Sequence, residues 1–92
     1  MPNSISEQAH QWVKSGATLL DVRTQREFDA GHLEGAKHIP IQDLDSRLAE
    51  VGDKNVAVVA YCLSGARSAQ AVSVLEKAGF QRVMNLGSIT AW

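Results

Sequence analysis

Val56-Ala57-Val58-Val59-Ala60-Tyr61-Cys62-Leu63-Ser64-Gly65-Ala66-Arg67-Ser68 is the stretch on which the reading of this chain turns. Val56 to Tyr61 is a nearly continuous apolar run rich in valine, the pattern of a central parallel strand buried on both faces. The strand delivers Cys62, the only cysteine, into a short polar loop with Gly65 and Arg67, and a helical pattern opens at Ser68. Curling the backbone from strand into helix calls for the conformational freedom of Gly65. Successive amides in such a curl, with the free amides of a first helical turn, form a nest for an anion. The same field stabilises a thiolate and lowers a cysteine pKa from its ordinary value of about 8.5. Arg67 adds a planar, permanently charged fork suited to a bound oxyanion. Cys62 is therefore read as a nucleophile rather than as a small buried hydrophobe.

Upstream, Ile5 is placed at the end of a short first strand. A helix follows, with Ser4 and Glu7 at capping-box spacing, Ala9, Trp12 and Val13 as its apolar stripe and Gly16 as its stop. Trp12 is assigned to the core. Ala17 to Val22 reads as a second strand closed by Asp21-Val22-Arg23, and Thr24 with Glu27 forms another capping box. Arg23 and Glu27 are expected to pair across that junction. In a functional reading, Asp21 or Arg23 shapes the rim at the carboxyl ends of the strands, where open α/β sheets bind ligands. Gly31 to Ala36 is a compact turn leading to a short extended piece through His38 and Ile39, ended by Pro40. His32 and His38 have no carboxylate or cysteine between them at metal-ligand spacing, so they are assigned structural or exposed roles and no metal is expected.

One helix is expected from Ile41, with Leu44 and Leu48 on one face and Val51 close behind, then a turn over Gly52 to Asn55. Beyond the cysteine loop, Ala71, Val72, Leu75 and Ala78 give a helix its apolar face up to Gly79. Phe80 to Met84 reads as a last strand and Asn85 to Trp92 as a closing turn. Strands and helices alternating through short joints predict an α/β domain of three layers, a mostly parallel central sheet with helices on both faces.

At 92 residues the chain is expected to be one domain over 1–92. The 45% apolar and 21% charged composition is ordinary for a globular protein, and a net charge of −1 argues against nucleic acid as a partner. One cysteine excludes an internal disulfide and makes a cysteine-based zinc site unexpected. No apolar run reaches bilayer-crossing length and no basic-then-apolar leader is visible, so no membrane partner and, by default, a cytoplasmic location are expected. A monomer without cofactors is the expected form.

Two chemistries suit a thiolate in an amide cradle. Phosphoester hydrolysis uses a loop one residue longer than the Leu63 to Ala66 spacer, and no aspartate general acid for the leaving alcohol is evident. A cysteine–histidine hydrolase is disfavoured because all three histidines have structural readings. In sulfur transfer, the thiolate takes a sulfane sulfur, the loop amides hold the resulting persulfide charge, and an acceptor collects the sulfur in a second, ping-pong step. Sulfur transfer is the better match.

The same residues resemble a single-domain rhodanese. The likeness runs through Leu20-Asp21-Val22-Arg23 with Glu27-Phe28, Gly31 to Ala36 on to Ile39-Pro40, Cys62 to Ser68, and Asn85-Leu86-Gly87 with Ala91-Trp92. It implies a rhodanese-like fold, catalytic Cys62, substrate-binding Leu63, Ser64, Gly65, Ala66, Arg67 and Ser68, and supporting Asp21 and Arg23, with Arg23 paired to Glu27. The family usually has paired glycines where this chain has Gly87-Ser88, and efficient thiosulfate users often carry more loop cations than Arg67 alone. The implied function is movement of a sulfane sulfur through a Cys62 persulfide. The donor would be a small anionic sulfur compound, thiosulfate or a persulfide, and the acceptor a thiol, cyanide or a thioredoxin-like protein. A protein-to-protein persulfide relay with little free-substrate turnover is the alternative, and a cysteine phosphatase or arsenate reductase is disfavoured by loop length.

Overall fold

The computed structural model describes residues 4–92. Four strands form its sheet: β1 (Thr18–Asp21), β2 (Lys37–His38), β3 (Val58–Cys62) and β4 (Val83–Ser88). They lie in the order β2-β1-β3-β4, and every ladder is parallel. Around them stand α1 (Ile5–Lys14), α2 (Gln25–Asp29), α3 (Ile41–Leu44), α4 (Leu48–Val51), α5 (Ala66–Lys77) and a closing 3-10 turn, Ile89–Ala91. Among the described residues no helix is long and apolar enough to cross a membrane.

The period-two alternation of a strand sorts the core into two layers. Leu20, Val58, Ala60 and Cys62 pack with Leu44 of α3, Val51 of α4, and Ala71 and Leu75 of α5. Leu19, Val59, Tyr61, Met84 and Leu86 pack on the other side with Ala9 of α1 and the half-buried Trp12 and Val13. Every residue of β3 is buried, as its apolar run predicts for the strand between two neighbours. The three-layer parallel α/β architecture is what the alternation of elements implied.

Local signals hold where they are chemical. Ser4 and Glu7 form a reciprocal capping box on α1, and Thr24 and Glu27 form another on α2. At the end of α5 the Gly79 amide bonds the Glu76 carbonyl and the Phe80 amide bonds Leu75, while Gly79 takes a φ of +102°. This is a Schellman close, with Phe80 and Leu75 in the same core layer.

Besides the trimming of the Ala17 to Val22 strand to β1, boundaries differ at five places. A strand ahead of Ile5 would lie in residues 1–3, outside the described residues; Ile5 itself opens α1 because Ser4 takes the cap. β3 starts at Val58, which pairs with Thr18, and Val56 stays in the preceding turn, 37% exposed. The helix expected from Ile41 is two one-turn pieces, α3 and α4, because Arg47 leaves helical backbone at φ −123° and ψ 25°. That break lets both Leu44 and Val51 reach the core, while Leu48 is only partly buried. The last strand starts at Val83, since Phe80 is used to close α5, and it continues to Ser88. α5 begins at Ala66, ahead of Ser68, for a reason that belongs to the site.

Leu75 is fully buried on the α5 face that meets the sheet. Leu75→Ala should lower unfolding stability by about 2–5 kcal/mol in urea titrations, with an unchanged slope. A loss under ~1 kcal/mol would mean that this face does not bear on the core as described.

Candidate active site

Cys62 is the last residue of β3, and four residues later, at Ala66, the chain is helical. Gly65 makes this possible: at φ +100° and ψ −16° it is the N-cap of α5, and its carbonyl receives the Ala69 amide. A side chain there would be strained by that backbone, whatever space surrounds it. The helix N-terminus is thus folded directly over the sulfur. Cys62 Sγ accepts hydrogen bonds from the Gly65 amide at 2.9 Å and the Ser68 amide at 3.4 Å. The Ser68 hydroxyl lies 3.4 Å from Sγ and 3.1 Å from the Gly65 carbonyl. With one proton to give, it serves the carbonyl opposite a thiol and the sulfur opposite a thiolate.

Burial pushes the Cys62 thiol up, but the Ser68 hydroxyl and amide and the Gly65 and Ser64 amides outweigh it, and the balance lies below the ordinary cysteine value. The thiolate fraction, followed by ultraviolet absorbance against pH, should therefore have its midpoint below that of an ordinary free thiol measured alongside. Ser68→Ala should move that midpoint up by about half a pH unit or more, one hydrogen bond to charged sulfur being lost. An unmoved midpoint would remove Ser68 from the cradle.

Cys62 is 0% exposed, while Leu63, Ser64 and Ala66 face solvent, with Leu63 at 54%. The Gly65 and Ser68 amides thus hold a sulfur at the floor of a loop whose other side chains, Leu63 and Ser64 among them, face outward. Gly87 approaches from β4: the register of β3 and β4 shifts between Ala60 and Tyr61, and Gly87 takes φ +91°. Ser88, where paired glycines are usual, needs no such freedom. It is extended at φ −79° and accepts the Thr90 amide as the cap of the 3-10 turn.

Two ion pairs flank the loop, and neither is the pair expected. Arg23 does not meet Glu27. It folds back on Asp21, whose Oδ1 accepts from the Arg23 backbone amide at 2.9 Å and from Nε at 3.0 Å, and whose Oδ2 accepts from a terminal nitrogen at 2.7 Å. The same nitrogen donates to the Gly31 carbonyl at 2.7 Å. The residues are 5% and 0% exposed, and the Asp21 bonds raise the Arg23 pKa further. Glu27 instead takes Arg67 through two parallel bonds of 2.7 and 2.9 Å, while accepting the Thr24 amide at 2.9 Å. The Arg67 bonds first, and Thr24 after them, hold the Glu27 carboxyl at about 2. The fork that the sequence offered to an oxyanion is thus engaged by a carboxylate.

Tyr61 was legible only as the end of an apolar run. Its ring is buried beneath the Arg23 guanidinium, 5.6 Å from centroid to carbon, and its hydroxyl accepts the Leu33 amide at 3.1 Å. Burial is the main cause that pushes this phenol up to about 12. A tyrosine closing a buried strand needs a partner for its hydroxyl, and that requirement was the available signal. Asp21, Arg23 and Tyr61 together hold the Gly31 to Leu33 turn against the sheet end that carries Cys62. His32 and His38 stack on the two sides of Phe28, at 3.7 and 4.5 Å, and bond the Phe28 and Arg23 carbonyls. Among the described residues no group of three or more histidine, cysteine or acidic side chains could hold a metal ion.

The sequence model of the family described as "Rhodanese-like domain" matches residues 6–92. The chain belongs to the rhodanese-like family. This rhodanese-like domain is 43% identical over 75 residues to a sulfurtransferase of Allochromatium vinosum, covering 80% of this chain and 69% of that protein. It is 37% identical over 71 residues to thiosulfate sulfurtransferase PspE of Escherichia coli, covering 76% and 68%. Against the probable adenylyltransferase/sulfurtransferase MoeZ of Mycobacterium tuberculosis it is 41% identical over 86 residues, 88% of this chain but 22% of that protein. The domain thus spans about a fifth of that relative's length. A solved structure described as "rhodanese with anions from E. coli" superposes with a TM-score of 0.79 at 33% identity, covering 84% of this chain and 92% of the other. These relatives of the rhodanese-like domain are described as sulfurtransferases.

Proposed function

We propose that this rhodanese-like domain carries a sulfane sulfur on Cys62 between a small anionic donor and a thiol, cyanide or thioredoxin-like acceptor. The observation that carries the reading is the sulfur of Cys62 at the floor of a loop whose Gly65 and Ser68 amides point at it. With thiosulfate, the Cys62 thiolate attacks the outer sulfur. The bond between the two donor sulfurs breaks with its electron pair on departing sulfite, leaving Cys62–S–S⁻. With a persulfide R–S–SH, the terminal sulfur passes in the same way and R–S⁻ leaves. The added sulfur lies further out than Sγ, toward the free amides of the loop and of the first turn of α5. An acceptor thiolate then attacks that outer sulfur and restores the Cys62 thiolate, which gives ping-pong kinetics.

A protein-to-protein relay is the second reading, supported by the engagement of Arg67 with Glu27, which leaves a small dianion to be held by amides. Phosphatase chemistry is unsupported, since the spacer from Cys62 to Arg67 is one residue short and Arg67 is paired away from the cradle. A monomer in a reducing, cytoplasm-like setting suits a lone thiol that must stay reduced between turnovers.

Intact-protein mass after brief exposure to thiosulfate, with and without a following thiol or cyanide, tests the proposal. One sulfur atom should be gained, lost on adding acceptor, and never gained by Cys62→Ser. A gain only from a persulfidated protein donor favours the relay. No gain from any donor rejects sulfur transfer.

A further inference from the structure

Glu27 and Arg67 close on each other through both guanidinium nitrogens and both carboxylate oxygens, 2.7 and 2.9 Å apart, from helices forty residues apart in sequence. Glu27 is held in place from its own side as well, since the Thr24 amide and hydroxyl both reach its Oε1. Arg67 is the only cation in the stretch from Cys62 to Ser68. Once it is paired, the cradle offers hydrogen-bond donors but no net positive charge. The other nearby guanidinium, Arg23, is buried and balanced by Asp21. A Cys62 thiolate in this setting must receive its donor with only dipoles to offset the charges brought together.

We propose that Glu27 is a specificity-determining residue: by neutralising Arg67 it tunes the site toward donors of low charge, alkyl persulfides, and against the thiosulfate dianion. This rests on the sulfurtransferase reading above and names the donor class of that same site. Amides solvate the single negative charge of a persulfide, whichever donor supplied it. They do less for a substrate that arrives with two charges beside a thiolate and a carboxylate. Converting Glu27 to a neutral side chain removes one negative charge and leaves Arg67 uncompensated, and the donor carrying more charge gains more from both changes.

The test compares kcat/KM for thiosulfate and for 2-hydroxyethyl persulfide, whose only charge is that of its persulfide, in the wild-type chain, Glu27→Gln, Thr24→Ala and Ser64→Lys, at low and high salt. In Glu27→Gln the thiosulfate-to-persulfide ratio should rise about tenfold or more at low ionic strength and fall back as salt screens the new charge. Thr24→Ala loosens the α2 cap but keeps both charges, so its ratio should stay at the wild-type value. Ser64→Lys adds a free cation on the exposed loop without touching α2 and should raise the ratio. An unchanged ratio in Glu27→Gln, or an equal rise in Thr24→Ala, overturns the assignment to Glu27 while leaving sulfur transfer intact. If Glu27→Gln melts below the assay temperature, an unchanged ratio in Ser64→Lys overturns the proposal instead. Absence of sulfur loading in the wild-type chain from both small donors and from a persulfidated protein would reject the underlying sulfurtransferase reading as well.

Discussion

Cys62→Ser should lose sulfur loading outright and reduce turnover of thiosulfate and of persulfide donors by at least about a thousandfold, the loss typical of removing a covalent nucleophile. The reason is specific to sulfur. A serine hydroxyl at the floor of this loop stays protonated at neutral pH, because the Gly65 and Ser68 amides that bring a thiol below its ordinary value cannot ionise an alcohol. Even an alkoxide would have to form a sulfur–oxygen bond and could not store a sulfane sulfur as a persulfide. The fold should tolerate the change, since Ser can bond the same amides, and the urea midpoint should stay near that of the parent. Turnover surviving in a folded Cys62→Ser protein would sink the assignment.

The largest stability effect is expected at the neighbouring strand end. Asp21→Ala should cost about 3–5 kcal/mol, because it strands a buried guanidinium without its counter-charge. Arg23 is 5% exposed and its hydrogen bonds run to Asp21 and to the Gly31 carbonyl, so water cannot replace the carboxylate without opening the turn. Asp21→Leu with Arg23→Met should recover much of that loss, since a buried pair replaced by apolar side chains of similar size is often neutral. The pair of Arg47 and Glu50 provides the contrast: it is solvent-exposed, and Arg47→Ala should leave the urea midpoint within error. If Asp21→Ala proves as mild as Arg47→Ala, the Asp21–Arg23 pair is not the buried brace described here.

What could be read from the sequence was what is chemically local. The two capping boxes, the Val-rich strand leading to Cys62 and the Gly79 stop are written in neighbouring residues, and the structure has each of them. Spacing alone misassigns the Arg23–Glu27 pair, because it offers Arg23 a carboxylate on either side. The turn after β1 folds the guanidinium back toward Asp21, and Glu27 is claimed by a residue on α5. Sequence places the start of α5 at Ser68, because a residue after Gly65 looks like a loop until the left-handed N-cap is seen. The break at Arg47 has no proline or glycine to announce it and follows from Leu44 and Val51 both having to reach one core layer. Nor could spacing reveal that Tyr61 would hold the Leu33 turn, a contact made across twenty-eight residues.

Tyr61 and Cys62 are adjacent in β3, yet they point into different core layers. Cys62 therefore belongs to the layer built on α5, while its neighbour is anchored in the layer built on α1. Loosening either side of the sheet disturbs the same peptide unit, so neither half can melt as an independent subunit and leave the cradle intact. The geometry around Cys62 then behaves as a cooperative property of the whole domain. In native-state hydrogen exchange, the amides that face the sulfur would open with the slowest, globally protected class rather than with the surface loops around them.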